Sequence, residues 1–327
     1  MIDPDEIEFD GHGAGTDVDP GAGTGVGGRD ESGSDRAPGV GGTGIVTIGD
    51  SRVVYRRAGS EGPPVVLLHG GGVDDSTLSW RHAIEALGDD YRVYAPDWPG
   101  YGDSEDGTGF DHSIDGYVET LEAFLDELGL ERVSLVGISM GGGVSIGFSL
   151  ANPDRVDRLV LVDSYGLGDW LPRGKLWKTA AHLPGANSLG WAAMSTSDGT
   201  ARLALGAVVS DAEAIADDFV RDFRSRASAP GAGRAFEEFQ RNEISPSGRV
   251  RTDFTDELPS LSVPTLLVHG IDDPLVPVEW SKRASTLMPE AELVVLRKCG
   301  HWVPRERPTE FTDVVRSYLS GNEPAYR

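Results

Sequence analysis

Three separated stretches of this chain carry residue types suited to acyl transfer. In Val133-Ser134-Leu135-Val136-Gly137-Ile138-Ser139-Met140-Gly141-Gly142-Gly143, an apolar strand-like run enters Gly-x-Ser-x-Gly and then a helix-compatible segment. A serine on a sharp strand-to-helix turn is held in a strained conformation, and neighbours without Cβ let the backbone pass closely enough to make that turn. A hydroxyl is a weak nucleophile at neutral pH and needs a base, which in turn needs an orienting acid. The run Thr265-Leu266-Leu267-Val268 leads into a turn with two consecutive carboxylates, Asp272 and Asp273, either of which can be that acid. The run Leu293-Val294-Val295-Leu296 leads into Arg297-Lys298-Cys299-Gly300-His301-Trp302, a loop from which His301 can reach over the sheet edge as the base.

Negative charge developing on an attacked carbonyl oxygen needs fixed donors. Val65-Val66-Leu67-Leu68 runs into His69-Gly70-Gly71-Gly72. Its glycines let backbone N–H groups approach a ligand, so the N–H of Gly71 and that of Met140 are the expected oxyanion donors. His69 and His269, beside glycines at strand ends, are expected to be packed and hydrogen-bonded. Cys299 is expected to be a small packed residue and not a nucleophile. Trp302 and the tryptophans between 165 and 258 fit an apolar substrate pocket and fit a core equally well. No histidine spacing matches a metal site, and neither a metal nor an organic cofactor is expected.

The elements that must position these groups are legible as alternation. Ile45 to Ile48 and Val53 to Arg57 predict an opening antiparallel pair, and continuous apolar runs follow at 65–68, 91–95, 133–136, 158–162, 265–268 and 293–296. Such runs suit strands buried on both faces. Helical candidates fall at 78–87, 113–128, 140–151, 279–287 and 308–319. This order predicts an α/β fold, a mostly parallel doubly wound sheet of about eight strands. The core is expected over 44–164 and 259–322, interrupted at 165–258 by a mainly helical cap over the carboxyl ends of the strands. Residues 1–43 are Gly- and Asp-rich, with too little apolar surface to offset ordering entropy, and are expected to be disordered.

Fifty-three acidic residues against 29 basic ones give a net charge of -24, which disfavours nucleic acid and anionic membranes as partners. A single cysteine permits no intrachain disulfide. With no apolar run of bilayer length and no basic, apolar leader, a cytoplasmic location is expected.

Taken together, the segment from about 45 to 320 resembles the α/β-hydrolase superfamily. Tyr94-Ala95-Pro96-Asp97-Trp98-Pro99-Gly100-Tyr101-Gly102 is similar to the loop after that family's fourth strand, and Ala151-Asn152-Pro153-Asp154-Arg155-Val156 to its passage from the nucleophile helix to the next strand. In family members with a Gly-x-x-Asp-x-x-Val-Pro turn the acid lies three residues after the glycine, which implies Asp273 and makes Asp272 a turn residue. Members with dehalogenase or epoxide hydrolase activity carry an elbow aspartate where this chain has Ser139. The resemblance therefore implies a serine hydrolase acting on a small, apolar ester-like molecule through an acyl-enzyme. Two other readings remain. One is carbon–carbon bond hydrolysis of ring-cleavage products, whose enzymes carry similar histidine–glycine segments but an asparagine where this chain has Ile138. The other is a binding protein that keeps the pocket without catalysis. Oligomeric state is not legible.

Lysine occurs only at 175, 178, 282 and 298, and this Arg-rich, acidic surface resembles that of proteins from salt-adapted archaea. In molar salt the Debye length falls to about 3 Å, so neighbouring carboxylates repel far less. The thermal unfolding midpoint is expected to be lower in dilute buffer than in molar KCl; an equal or higher midpoint in dilute buffer would exclude salt adaptation.

Overall fold

The computed structural model describes residues 7–11, 41–172, 174–183 and 185–321. Among the described residues nine strands form one sheet: β1 (Ile7–Gly11), β2 (Thr43–Ile48), β3 (Ser51–Ala58), β4 (Pro64–Leu68), β5 (Arg92–Pro96), β6 (Val133–Ile138), β7 (Val156–Val162), β8 (Thr265–Gly270) and β9 (Ala291–Leu296). Their spatial order is β1-β9-β8-β7-β6-β4-β5-β3-β2. The six strands from β9 to β5 are parallel, β3 and β2 extend one edge antiparallel, and β1 does so at the other. Strands β6 and β8 are buried at every residue, because helices cover both faces.

Helices α1 (Ser76–Leu87), α2 (Ile114–Glu127) and α3 (Met140–Ala151) precede β8, and α9 (Val278–Leu287), α10 (Val303–Glu306) and α11 (Pro308–Leu319) follow it. One core packs Tyr117, Leu121 and Phe124 of α2, Phe148 of α3 and Trp280 of α9 against the sheet. The opposite core packs Trp80 and Leu87 of α1 with Phe311 and Val315 of α11. Local capping supports the helix starts: Asp75 accepts from the Leu78 N–H at 2.6 Å and Ser113 from that of Gly116, satisfying donors that a helix cannot pair internally.

The expected α/β architecture, opening hairpin and five helical segments all appear, with ends shifted by a few residues. One expectation needs correction. Within the segment 1–43 that is expected to be disordered, Ile7–Gly11 pairs with β9, with Ile7 opposite Leu296, and β2 begins at Thr43. An open sheet edge presents unpaired N–H and C=O groups that can recruit a strand through backbone bonding alone, a force invisible to an argument from apolar content. Residues 1–6 and 12–40 lie outside the described residues.

Among the described residues between β7 and β8 lie five helices: α4 (Gly174–Ala181), α5 (Ala186–Met194), α6 (Asp198–Leu205), α7 (Asp217–Ala227) and α8 (Arg234–Glu243). A third core holds Leu205, Phe219, Val220 and Phe223 of this insertion against Val73, Leu78 and Trp302. Charge reinforces the docking of α7. Arg305 donates to Leu78 O at 2.6 Å, to Asp222 at 3.2 Å and to Asp218 at 2.9 Å, while its guanidinium lies 4.5 Å from the centre of the Phe219 ring. Arg81 grips Asp222 with two further bonds.

Replacing Arg305 with methionine keeps length but leaves Asp218 without its buried cation. Asp222 retains Arg81, so the expected loss is about 2 to 3 kcal/mol, toward the low side for breaking a buried ion pair. Denaturant unfolding of Arg305→Met measures it, and a change below about 0.5 kcal/mol, the ordinary range for a surface substitution, would show that the pair does not hold α7.

Candidate active site

Strand β6 is followed at once by the one residue between Val133 and Ile146 that is not buried, Ser139. Its backbone adopts φ 51° and ψ −118°, a conformation that residues with a side chain rarely keep without support. The support is the missing Cβ atoms of two neighbours. A Cβ on Gly137 would lie 2.4 Å from Gly141 O, and one on Gly141 would lie 2.2 Å from Leu68 O. Both glycines of Gly-x-Ser-x-Gly are thereby accounted for by contact. Met140 is the first residue of α3, so its N–H has no acceptor within the helix.

Strand β4 pairs with β6, Leu68 opposite Gly137. The chain leaves β4 toward β5 on one side and returns as β6 on the other, so the loops after β4 and β6 diverge at the point where strand order reverses, the usual crevice of such sheets. The loop His69 to Gly72 therefore flanks the serine: a Cβ on Gly70 would sit 3.3 Å from Ser139 Cβ. This loop is rigidly held. Asp74 Oδ2 accepts from the Gly70 N–H at 2.8 Å and from Ser79 Oγ at 2.6 Å. The buried His69 ring bonds Gly70 O through Nδ1 and accepts the Trp98 N–H at Nε2; burial lowers its pKa, in keeping with a neutral, structural histidine as expected.

The structure brings His301 and Asp273 together, with His301 Nδ1 2.7 Å from Asp273 Oδ2. The Asp273 side chain is fully buried, and its Oδ1 accepts the N–H groups of Leu275 and Val276 at 2.7 and 3.0 Å. Asp272, in contrast, is exposed and accepts from Ser210 Oγ. With Nδ1–H donated to Asp273, Nε2 of His301 is left as a proton acceptor. Cys299 is buried with its thiol pKa pushed well up by that burial, which keeps it from being a thiolate.

Several supporting residues escaped the sequence reading. Glu306 accepts the N–H groups of Ser210 and Gly300 at one oxygen, at 2.8 and 2.9 Å, and that of Trp302 at the other. The insertion also grips this loop directly, since Val208 O accepts the His301 N–H at 2.9 Å. Asp163, at the end of β7, is buried beside His269 and Asp273; one of its oxygens accepts the Gly270 N–H and the other has no partner. Burial, followed by the charge of Asp273, pushes its pKa well above the carboxylate range, as expected where two carboxylates cannot both ionise. These three residues are close enough to suggest a metal cluster, but His269 Nδ1 bonds Ser281 Oγ and Nε2 bonds Val276 O, leaving no ring lone pair for a cation. Their one sequence signal is position: Asp163 directly follows an apolar strand run.

Ser139, Met140, Gly71, His301 and Trp302 all line one cavity of about 280 Å³. Its outer wall comes from the insertion, through Trp177, Trp191, Phe223, Phe236 and Phe239. Trp302 borders the cavity and is also packed, its Nε1 donating to Ser79 Oγ at 2.8 Å and its ring meeting Phe219 edge-on. Among the described lining residues none is Lys or Arg.

Residues 63–308 match the family model described as the alpha/beta hydrolase fold, and the chain belongs to that family. Among its relatives, 2-hydroxy-6-oxo-2,4-heptadienoate hydrolase of Pseudomonas putida is 30% identical over 271 residues, 80% of this chain and 91% of the relative. Among solved structures, a meta-cleavage product hydrolase from Pseudomonas fluorescens superimposes with a TM-score of 0.72 at 28% identity, covering 86% of this chain and 98% of the other. A thermophilic esterase from Thermogutta terrifontis gives 0.69 at 26% identity, with 86% and 98% covered.

The charge state of His301 follows from its surroundings. Burial alone would lower its pKa, but the charge of Asp273, their hydrogen bond and the more distant Glu306 and Asp74 outweigh burial and raise it. For Asp273, burial is outweighed by His301 and His269, and its carboxyl is held below the usual range. A base must be neutral to accept a proton, so activity depending on His301 rises with pH through that elevated pKa. The acid limb of kcat/KM is expected to have its midpoint above about 6.5, the usual histidine value. In Asp273→Asn the midpoint should fall while the rate drops by roughly three to four orders of magnitude. A midpoint unchanged by Asp273→Asn would remove Asp273 from the pair.

Proposed function

We propose that this protein is a serine hydrolase that cleaves an acyl bond of an apolar small molecule through a covalent acyl-enzyme at Ser139. The observation that carries the reading is that one apolar cavity is bordered both by a strained, partly exposed serine and by an imidazole hydrogen-bonded to a buried carboxylate. His301 takes the Ser139 proton as the hydroxyl attacks the carbonyl, Asp273 holds the ring in the tautomer that can accept it, and the N–H groups of Gly71 and Met140 receive the developing oxyanion. His301 then protonates the leaving group and activates the water that releases the acid. The helices between β7 and β8 act as the cap that shapes the acyl pocket.

The bond cleaved has two candidates. The names of the Pseudomonas putida relative and the Pseudomonas fluorescens neighbour favour carbon–carbon hydrolysis of a ring-cleavage product over ester hydrolysis. Against a dienoate stand the absence of Lys and Arg among the described lining residues and Ile138 before the serine. An uncharged ester or ketone fits this wall at a lower desolvation cost than a carboxylate.

A fluorophosphonate should label the wild-type protein at Ser139, and Ser139→Ala should lose both labelling and roughly four to six orders of magnitude in turnover. Graded p-nitrophenyl esters compared with a 2-hydroxy-6-oxo-dienoate decide the bond: faster ester turnover supports the neutral-acyl reading, and exclusive turnover of the dienoate replaces it with carbon–carbon cleavage. A folded protein that neither labels nor turns over any of these is a binding protein.

A further inference from the structure

Among the described residues that the insertion contributes to the cavity, Gln240 is the one side chain that ends in an amide; the others are apolar or aromatic. It stands on α8 with Phe236 and Phe239, which line the same space, at the i, i+3, i+4 spacing that gathers side chains on one helix face.

Contacts at both ends of this face set α8 relative to Ser139. A Cβ on Gly71 would lie 2.6 Å from Phe236 Cε2, so that ring rests on the glycine loop beside the serine. Phe239 meets the Tyr165 ring edge-on with 5.9 Å between centres, and the Tyr165 N–H donates to Ser139 O at 3.0 Å. At the end of the helix the buried Glu243 accepts from the Ile114 N–H at 3.1 Å, and from the Tyr165 hydroxyl and the Thr252 N–H at 3.2 Å each. Gln240 is four residues on from Phe236, about 6 Å along the helix axis. A small molecule whose carbonyl lies at Ser139 can therefore reach it.

The amide is itself oriented. Gln240 is 3% exposed, and its Oε1 accepts from Asn187 Nδ2 of α5 at 3.0 Å. Nε2 is left as the free end, and it meets no acceptor among the described residues. The Asp74 carboxyl, the Tyr165 hydroxyl and the Trp302 indole N–H border the same cavity, but each already bonds to a protein group. A buried amide whose donors are unpaired has given up hydration without return, and a ligand oxygen that reaches Nε2 restores the lost bond.

We propose that Gln240 determines substrate choice, its Nε2 donating to an uncharged oxygen that the substrate carries apart from its scissile carbonyl. The substrate class is then an apolar acyl compound with a second, neutral keto, ester or ether oxygen, and not a plain alkyl ester. A carboxylate is the poorer occupant, because one neutral amide replaces little of its hydration and no Lys or Arg stands among the described lining residues. The inference rests on the acyl-site reading of this cavity given above.

Calorimetric titration of Ser139→Ala, in which ligands bind without turnover, tests it. Ethyl octanoate is set against ethyl oxo-octanoates whose keto group is moved one carbon at a time along the acyl chain, and butyl octanoate against 3-oxobutyl octanoate for the alcohol side. In one series the keto ligand is expected to gain over its plain counterpart at a single position, and that ratio of dissociation constants to fall about tenfold when Gln240→Met is added, the scale of one buried hydrogen bond. Should Gln240→Met unfold early, Asn187→Ala, at a residue that does not line the cavity, frees the amide to turn away and is expected to lower the same ratio several-fold. A ratio that neither substitution alters, in either series, overturns the inference and leaves the acyl site standing. Failure of every ester to bind removes the acyl-site reading and the inference with it.

Discussion

Two hydrogens standing where other residues carry a Cβ allow β6 and α3 to meet as they do. Because Gly141 lies against Leu68 O and Gly137 against Gly141 O, the turn that holds Ser139 is packed directly on the end of β4, and no larger residue fits either place without moving the strand. That contact sets more than the serine. It brings the His69–Gly72 loop alongside, aligns the first N–H of α3 with the same space, and does so at the point where the sheet's strand order reverses. The strain stored at Ser139 is sustained by a sheet buried on both faces, which offers no slack through which the turn could relax.

The histidine side of the site depends on different forces. His301 stands on a loop anchored in the core by Cys299 and Val303, and polar contacts fix its backbone. Glu306 gathers three backbone N–H groups, and the insertion supplies Val208 O to the His301 N–H. A Cβ on Gly300 would lie 2.6 Å from Val208 O, so the insertion is fitted to the loop as closely as β4 is to the elbow. The helices between β7 and β8 thus do two things. They wall the cavity, and they help fix the group proposed as the base, so displacement of this segment would alter both pocket and proton transfer.

Legibility in the sequence tracked the range of the forces involved. The strand runs and helices were readable because double-sided burial writes itself as unbroken apolar stretches, and Ser139, Asp273 and His301 because each follows such a run at a strand end. Register, in contrast, depends on partners far along the chain, and β1 was missed because edge pairing needs no apolar signature. Glu306 and Asp163 were missed for a related reason. One is a carboxylate among Arg305 and Arg307, which reads as solvated surface, yet the fold turns it inward onto backbone donors. The other looks like an ordinary strand-end acid until β8 brings His269 and Asp273 against it. Within the insertion, α7 and α8 carry a clear amphipathic period, whereas α5 has a weak one and buries no residue, so its inward side was not legible.

Charge burial separates the acids of this chain into two kinds. Asp273 stays ionised because two histidines and two N–H groups face it, whereas burial and then the charge of Asp273 push the Asp163 carboxyl well above the usual range. Asp75 lies between these extremes: burial and the nearby Asp97 push it up to about 8 against the pull of Arg226, which reaches it from α7 and also binds Asp103. The cations that enter these partly buried networks, Arg81, Arg226 and Arg305, are all arginines. A guanidinium holds its charge when desolvated and can bond two carboxylates in fixed directions, which a flexible ammonium does less well. In a chain so rich in acids, where α7 must dock on an acidic core surface, that property explains why arginine occupies every such junction described and why lysine is left to the periphery.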